Sequence, residues 1–268
     1  LNFRAHHLLY LATIRTRHPR HTTMHPFPGN RRAAVSVTYD DALPCHREIA
    51  APALSVRGQL GTFYCPAAAT DLHDHLDAWR GVAAAGHELG NHSCWHPCRC
   101  RPGATWPEPA YDLRLYQHRR AVDEMVLADR VLRLVDGRKR RSFAATCGNL
   151  TTGPEGAETD FSNDLRPLAS VVRSGAAGIH PLAPPPFIAG QYSLDGGDLA
   201  RAVGILEPLL AQGGWVILLI HGVGKGTHGL YLDESEHLRI LDWIAARSDR
   251  LWSTTVTAVA DALSALPA

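Results

Sequence analysis

Lysine is nearly absent from this chain: Lys139 and Lys225 are the only two, and arginine carries almost all the positive charge. Lys and Arg number 27 against 26 Asp and Glu, a formal net charge of +1, so no excess of one sign points to nucleic acid or an anionic membrane. No stretch approaches the ~20 consecutive apolar residues of a bilayer span. Paired C-x2-C knuckles are missing, although six cysteines occur at 45, 65, 94, 98, 100 and 147. Cys94, Cys98 and Cys100 fall beside two histidines, so a structural zinc site stands as a rival reading. A disulfide among the loop cysteines is compatible with the sequence but cannot be assigned from it, and the redox compartment stays open with a lean towards reducing conditions. A secretory leader is lacking too: the apolar run Leu8–Ile14 is brief and is followed by basic residues rather than a small-residue cleavage site. A cytoplasmic location is therefore expected.

What is present is a chain of 268 residues, 45% hydrophobic and 20% charged, long enough to bury a large core. Two segments carry the chemistry. In Val35-Ser-Val-Thr-Tyr-Asp-Asp41 a strand-like run ends in adjacent carboxylates. In Gly86-His-Glu-Leu-Gly-Asn-His-Ser-Cys-Trp-His-Pro97, His92 and His96 follow a second short run. Imidazoles four apart reach one point if the chain coils there, and a third ligand with one open position makes a catalytic zinc-type site. A His-x3-His pair also arises by chance among 16 histidines, and a strand ending in Asp-Asp is often a solvated turn. The conjunction is what counts, because two carboxylates and two imidazoles cluster at a high cost unless a cation compensates them.

Apolar patterning predicts strands at 33–39, 60–64, 87–91, 142–146, 215–220 and 251–254. Helices are expected at 44–57, 71–85, 111–135, 199–211, 232–246 and 256–266. The Gly- and Pro-rich region 147–198 has little pattern. Alternation of strand and helix indicates parallel β/α units, whose sites collect at the carboxyl ends of the strands. Residues 1–30 read as a disordered extension and 31–268 as one catalytic domain. Asp40 and Asp41, His92 and His96, and His221 then lie after three separate strands and are expected to converge.

These residues resemble the polysaccharide deacetylase family, also called the NodB-homology or carbohydrate esterase family 4 group. Thr38-Tyr-Asp-Asp41 is similar to its first motif, Thr-Phe-Asp-Asp, and His92-Ser-x-x-His96-Pro97 to its second. Phe143-Ala-Ala-Thr-Cys-Gly148 falls where the third motif, Arg-x-Pro-Tyr-Gly, belongs, and Leu218-Leu-Ile-His-Gly222 resembles the fifth, Leu-x-His. Asp195 precedes His221 by 26 residues, a separation that suits the fourth motif. The resemblance implies a distorted or incomplete (β/α) barrel that removes N- or O-acetyl groups from sugars with a divalent metal: zinc first, with cobalt or nickel as substitutes. It implies Asp41, His92 and His96 as metal ligands, Asp40 as general base, His221 as general acid and Asp195 as its partner. The backbone N–H of Cys147 suits an oxyanion donor. Trp95, Trp106 and Tyr231 are candidate sugar-stacking rings.

The third motif departs from the family: its arginine, which tethers the base, is Ala144 here, and Thr146 and Cys147 replace its proline and tyrosine. Arg166 and Arg173 are the two arginines that could take over the tether. An acetylated carbohydrate is the expected partner, with no nucleic acid. The alternatives are hydrolysis of another amide or ester on the same fold, allantoinase-like or acetyl esterase, and a catalytically silent glycan- or metal-binding module. Gly222-Val-Gly-Lys-Gly226 lacks the spacing of a phosphate loop.

Overall fold

Parallel strands come first because the longest apolar runs have no polar face: all eight residues of β1 (Ala33–Asp40) are buried. Strands covered on both sides read this way in β/α proteins. The computed structural model describes residues 25–100 and 108–266. After β1 come β2 (Gly61–Cys65), β3 (Glu88–Asn91), β4 (Arg141–Ala144), a hairpin of β5 (Thr151–Thr152) and β6 (Thr159–Asp160), and β7 (Ala169–Arg173). Then follow β8 (Ile188–Ala189), β9 (Tyr192–Ser193), β10 (Gly214–Ile220), the pair β11 (Gly222–Val223) and β12 (Tyr231–Leu232), and β13 (Leu251–Ser253). The main sheet runs β8-β7-β4-β3-β2-β1-β10-β9, with β13 also on β1, and all its pairings are parallel.

Helices α1 (Ala51–Ser55), α2 (Thr70–Asp74), α3 (Leu76–Ala84), α4 (His118–Asp136), α5 (Leu199–Gln212), α6 (Glu234–Ala245) and α7 (Val256–Ser264) complete the structure. Side chains alternate across a strand. Ala33, Val35, Val37 and Tyr39 accordingly join a core with Leu54, Trp79, Leu206 and Ile240 from the covering helices. Ala34 faces the other way, into a cluster of Trp215 and Ile217 with Val256, Val259 and Leu263 of α7. Ser36, Thr38 and Asp40 share that inner face, so the strand delivers Asp40 to the concave side. Strands β1 and β7 are separated by β2, β3 and β4, yet Arg173 on β7 bonds to Thr38 and Asp40 on β1. Such reach requires the sheet to curl into an incomplete barrel, as expected.

A buried carboxylate ties the floor of that barrel together. Glu88, fully buried, accepts hydrogen bonds from Thr62 Oγ1 (3.1 Å), Ser142 N (2.7 Å) and Oγ (2.8 Å), and Thr257 N (3.0 Å) and Oγ1 (2.6 Å). Two of these donors are main-chain groups, one of them in the first turn of α7. Glu88→Ala orphans both of these and is expected to cost at least about 3 kcal/mol, read by urea denaturation at neutral pH.

The structure corrects several expectations. Pro52 does not interrupt the helix expected at 44–57: residues 44–55 stay helical, and a π-helical turn, His46–Ala50, runs directly into α1 just before the proline. The helix expected at 71–85 breaks at His75 (φ −125°, ψ 38°). The helix expected from 111 starts at His118, because Leu113 and Tyr116 are buried from an irregular turn rather than from a helix face. Phe27, placed in the disordered extension, is 2% exposed and packs 5.6 Å from the Trp252 ring, so that boundary falls too late. Residues 1–24 and the candidate Trp106 lie outside the described residues. Among the described residues no helix is long and apolar enough to cross a membrane.

Candidate functional site

Six parallel strands end around one pocket of ≈ 600 Å³, whose lining includes Asp40, Asp41, His96, Cys147, Arg173, Gln191, His221 and His228. The backbone here is strained. Among the described residues six non-glycines take positive φ, and five are at this mouth: Asp41 (84°), Ala42 (51°), Ser93 (65°), His96 (53°) and Cys147 (52°). Left-handed residues of this kind persist only where their surroundings over-determine them, typically at functional sites.

The turn after β1 aims Asp41 at the two histidines. Its Oδ1 lies 3.3 Å from His96 Nε2 and 3.6 Å from His92 Nε2, and one donor atom from each of the three residues fits within 4.8 Å. His92 is fully buried, and burial foremost pulls its pKa down to about 4, so it is neutral at pH 7. Its Nδ1–H donates to the Ala144 carbonyl at 2.8 Å, which leaves Nε2 as a lone pair. That nitrogen has no hydrogen-bond partner among the described residues. A buried lone pair facing a carboxylate oxygen is repulsive, and a cation between them relieves it. The donor set of one carboxylate and two imidazoles therefore fits a zinc-type ion with a position left open.

Asp40, beside this set, is 4% exposed. Burial alone would raise its pKa, but Arg173 first, then His92 and His221, more than reverse that, and the net shift is downward. Arg173 donates from one terminal nitrogen to Asp40 Oδ2 and from the other to Thr38 Oγ1 at 3.2 Å, with its guanidinium 4.7 Å from the Tyr64 ring centre. Asp40 Oδ1 is buried and has no hydrogen-bond partner among the described residues. Of the two arginines considered for the tether, Arg173 is thus the one that bonds Asp40. Arg166 does not reach the site; it bonds Asn163 and lies over Phe187.

On the opposite wall, Asp195 Oδ2 accepts from His221 Nδ1 at 2.7 Å, while its Oδ1 accepts from the His221 backbone N–H at 2.9 Å. The structure brings together these two residues, whose pairing the resemblance implied. Burial would lower the His221 pKa, but the Asp195 hydrogen bond and the charges of Asp40, Asp195 and Asp41 raise it overall. With Nδ1 held, Nε2 is the ring nitrogen left for the pocket. His46, passed over in the sequence, buttresses this wall. Leu43 N–H donates to its Nδ1, so its Nε2–H donates to the His221 carbonyl at 2.7 Å. Burial takes the His46 pKa to about 4 and keeps the ring neutral. A histidine inside a helical turn gave no signal for this role. His228 was missed as well; its ring stacks on His221 with centres 5.2 Å apart, at an angle of 11°.

Three expectations need correction. Trp95 does not line the pocket; it stacks on Tyr111 with ring centres 5.5 Å apart and is half exposed. Tyr231 borders an adjoining cleft of ≈ 360 Å³ with Asp195 and Asp233. Cys147 is at the pocket, but its sulfur forms a disulfide with Cys98, a pairing the sequence left open and the lean towards reduced thiols did not favour. That bond also removes Cys98 from the structural zinc cluster considered with Cys94 and Cys100, of which Cys94 is buried against Glu124 and Ala128.

Residues 28–157 match the family model for polysaccharide deacetylase. This segment belongs to the polysaccharide deacetylase family. It carries the first three of the five motif positions, and the fold of the whole chain agrees. The Xyl-CE4 domain of a multidomain xylanase from the hindgut metagenome of Trinervitermes trinervoides is similar with TM-score 0.54 and 14% identity, over 86% of this chain and 91% of that one. Polysaccharide deacetylase Bc1974 from Bacillus cereus is similar with TM-score 0.52 and 14% identity, over 84% and 92%. A mutant of BA3943, a CE4 family pseudoenzyme, is similar with TM-score 0.51 and 15% identity, over 87% and 69%. At these identities the likeness establishes the fold. No curated protein sequence matches the chain. At the third motif, Ala144 stands at the arginine position while Arg173 on β7 bonds Asp40, and Cys147 is disulfide-bonded to Cys98.

Proposed function

We propose that this chain is a divalent-metal-dependent hydrolase that removes an acetyl group from a sugar, an oligosaccharide or a cell-wall glycan. One observation carries the reading: the unpartnered, buried Nε2 of His92 faces Asp41 beside His96, in the pocket that also holds Asp40 and the Asp195–His221 pair. Asp41, His92 and His96 would hold the ion, and zinc suits this donor set, with cobalt or nickel as substitutes. When bound, such an ion supplies Lewis acidity that favours attack by water on an acyl carbon near neutral pH.

The chain's own groups do the rest. Asp40 Oδ2 is committed to Arg173, so Oδ1 is the atom that accepts a proton from the attacking water. The lowered Asp40 pKa keeps that oxygen ionised before each turnover. His221 donates a proton from Nε2 to the leaving nitrogen or oxygen, and Asp195 holds its tautomer and favours the protonated ring. The Cys147 N–H, carried on a left-handed turn at the pocket, suits stabilisation of the developing oxyanion. The Asp40–Arg173 pair favours an active enzyme over the silent module, since a buried and compensated carboxylate has no evident structural purpose at this mouth.

Acetate release from N-acetylglucosamine oligomers and from an acetylated xylan tests this reading and distinguishes amide from ester preference. Release from either substrate, lost in Asp40→Asn, is the expected result. No release from both, by protein that carries its metal, would overturn it.

A further inference from the structure

The disulfide beside the pocket places three soft or borderline donors together: Cys98, Cys147 and His96 each offer an atom within 4.8 Å of the others. Cys98 Sγ lies 3.7 Å from His96 Nδ1, whereas His96 Nε2 faces Asp41 at 3.3 Å. The two ring nitrogens of His96 therefore serve opposite sides, one towards the carboxylate and one towards the sulfurs. Cys147 is exposed and lines the pocket, so a small reductant can reach the bond.

Opening the bond does not release the two loops from each other. Thr146 Oγ1 donates to the Pro97 carbonyl, and the Arg99 N–H donates to Asn149 Oδ1 at 2.8 Å. The Arg99 guanidinium also donates to the Gly153 carbonyl at 2.9 Å. Cys98 itself is pinned on both sides, with its N–H on the Tyr111 carbonyl (3.1 Å) and its carbonyl on the Leu113 N–H (3.0 Å). With Cα atoms 5.8 Å apart and the backbone so held, the reduced sulfurs remain within reach of one cation.

We infer that Cys98 and Cys147, once reduced, join His96 Nδ1 in a second cation site that takes a thiophilic divalent metal. With a small dithiol the reduction is a thiol–disulfide exchange: the Cys98–Cys147 bond takes two electrons, the two sulfurs gain the dithiol's two protons, and the donor leaves as its disulfide. With a phosphine, phosphorus attacks one sulfur, and water supplies the oxygen of the phosphine oxide and the two thiol protons. The cation then displaces the two thiol protons to solvent and, where an ion already sits on Nε2, the His96 Nδ1 proton as well, so that the ring would bridge the two ions as an imidazolate. Two sulfurs and one imidazole are a zinc-type donor set with a fourth position open, and thiolates select the softer ions over magnesium or calcium. The site goes beyond the deacetylase reading, and it makes occupancy on the Cys98 side of His96 depend on the redox state of the pocket wall.

Cobalt(II) is the probe, added to metal-free protein either as the disulfide or after phosphine reduction and anaerobic desalting. The reduced wild type is expected to take up one more equivalent than the oxidised form and to gain an intense near-ultraviolet thiolate-to-cobalt absorption. Reduced Cys98→Ser and Cys147→Ser proteins lose that absorption, whereas Cys100→Ser keeps it. Reduced wild type without the absorption, or an absorption that survives in Cys98→Ser, would overturn the proposal. The comparison of redox states needs no variant to fold, and the optical readout does not depend on acetate release. Failure of this site and failure of the hydrolase reading are thus separable.

Discussion

Arg173→Met is expected to lower kcat/KM by about 10²-fold or more, the scale on which a positioned general base contributes. The substitution leaves Asp40 buried without its largest compensating charge, so the influence of burial grows and the carboxyl pKa rises. The acid limb of the pH–activity profile then moves to higher pH, because more alkaline solution is needed to ionise the base. Removing one partner of a buried ion pair also costs about 3–5 kcal/mol of stability. Asp40→Asn combined with Arg173→Met is expected to recover part of that loss, since no uncompensated charge remains. Arg173→Lys keeps a charge but cannot reproduce the fork that spans Thr38 and Asp40, and it falls between wild type and Arg173→Met. Arg166→Met, at the Phe187 ring, leaves kcat/KM unchanged. Steady-state kinetics across pH, paired with thermal denaturation, check the series; equal effects at 166 and 173 would remove Arg173 from the base.

His221→Ala is expected to lower kcat by about 10²–10⁴, the range for loss of a general acid. Asp195→Asn gives a smaller loss with a diagnostic pH dependence. The His221 pKa is raised despite burial, through the Asp195 hydrogen bond first and the neighbouring carboxylates after it. An uncharged partner lets burial dominate, so the His221 pKa falls and less of the protonated acid is present at neutral pH. The basic limb of the profile therefore shifts to lower pH. An unchanged basic limb in Asp195→Asn would show that His221 is not the titrating acid.

Asp40, Asp41 and His92 were legible in the sequence because each follows a short apolar run, and parallel strands deliver such residues to one edge. His221 was legible for the same reason, and its link to Asp195 was implied by the resemblance to the fourth motif, which the separation of 26 residues suits. Arg173 remained one of two options because its strand, Ala169–Arg173, lies in the region where strand–helix alternation lapses. No α-helix separates β4 from β7; the connection runs through a short hairpin and 3-10 turns, so the period that identified other strands is missing. The Cys98–Cys147 bond joins two loops 49 residues apart, and no local spacing encodes their contact. His46 and His228 act through their positions in turns, where one histidine looks like any other. Trp95 misled because an exposed aromatic next to a motif reads as a sugar platform, whereas Tyr111 already covers one face of its ring.

Metal content and acetate release, measured on the same samples as zinc is added back to chelated protein, test the central claim most directly. The account predicts no release from the metal-free chain, then a linear rise that ends when Asp41, His92 and His96 have filled with one ion per chain. The same titration of His92→Ala is expected to recover neither tight binding nor turnover. Undiminished release from the metal-free protein, or full turnover in His92→Ala, would contradict it.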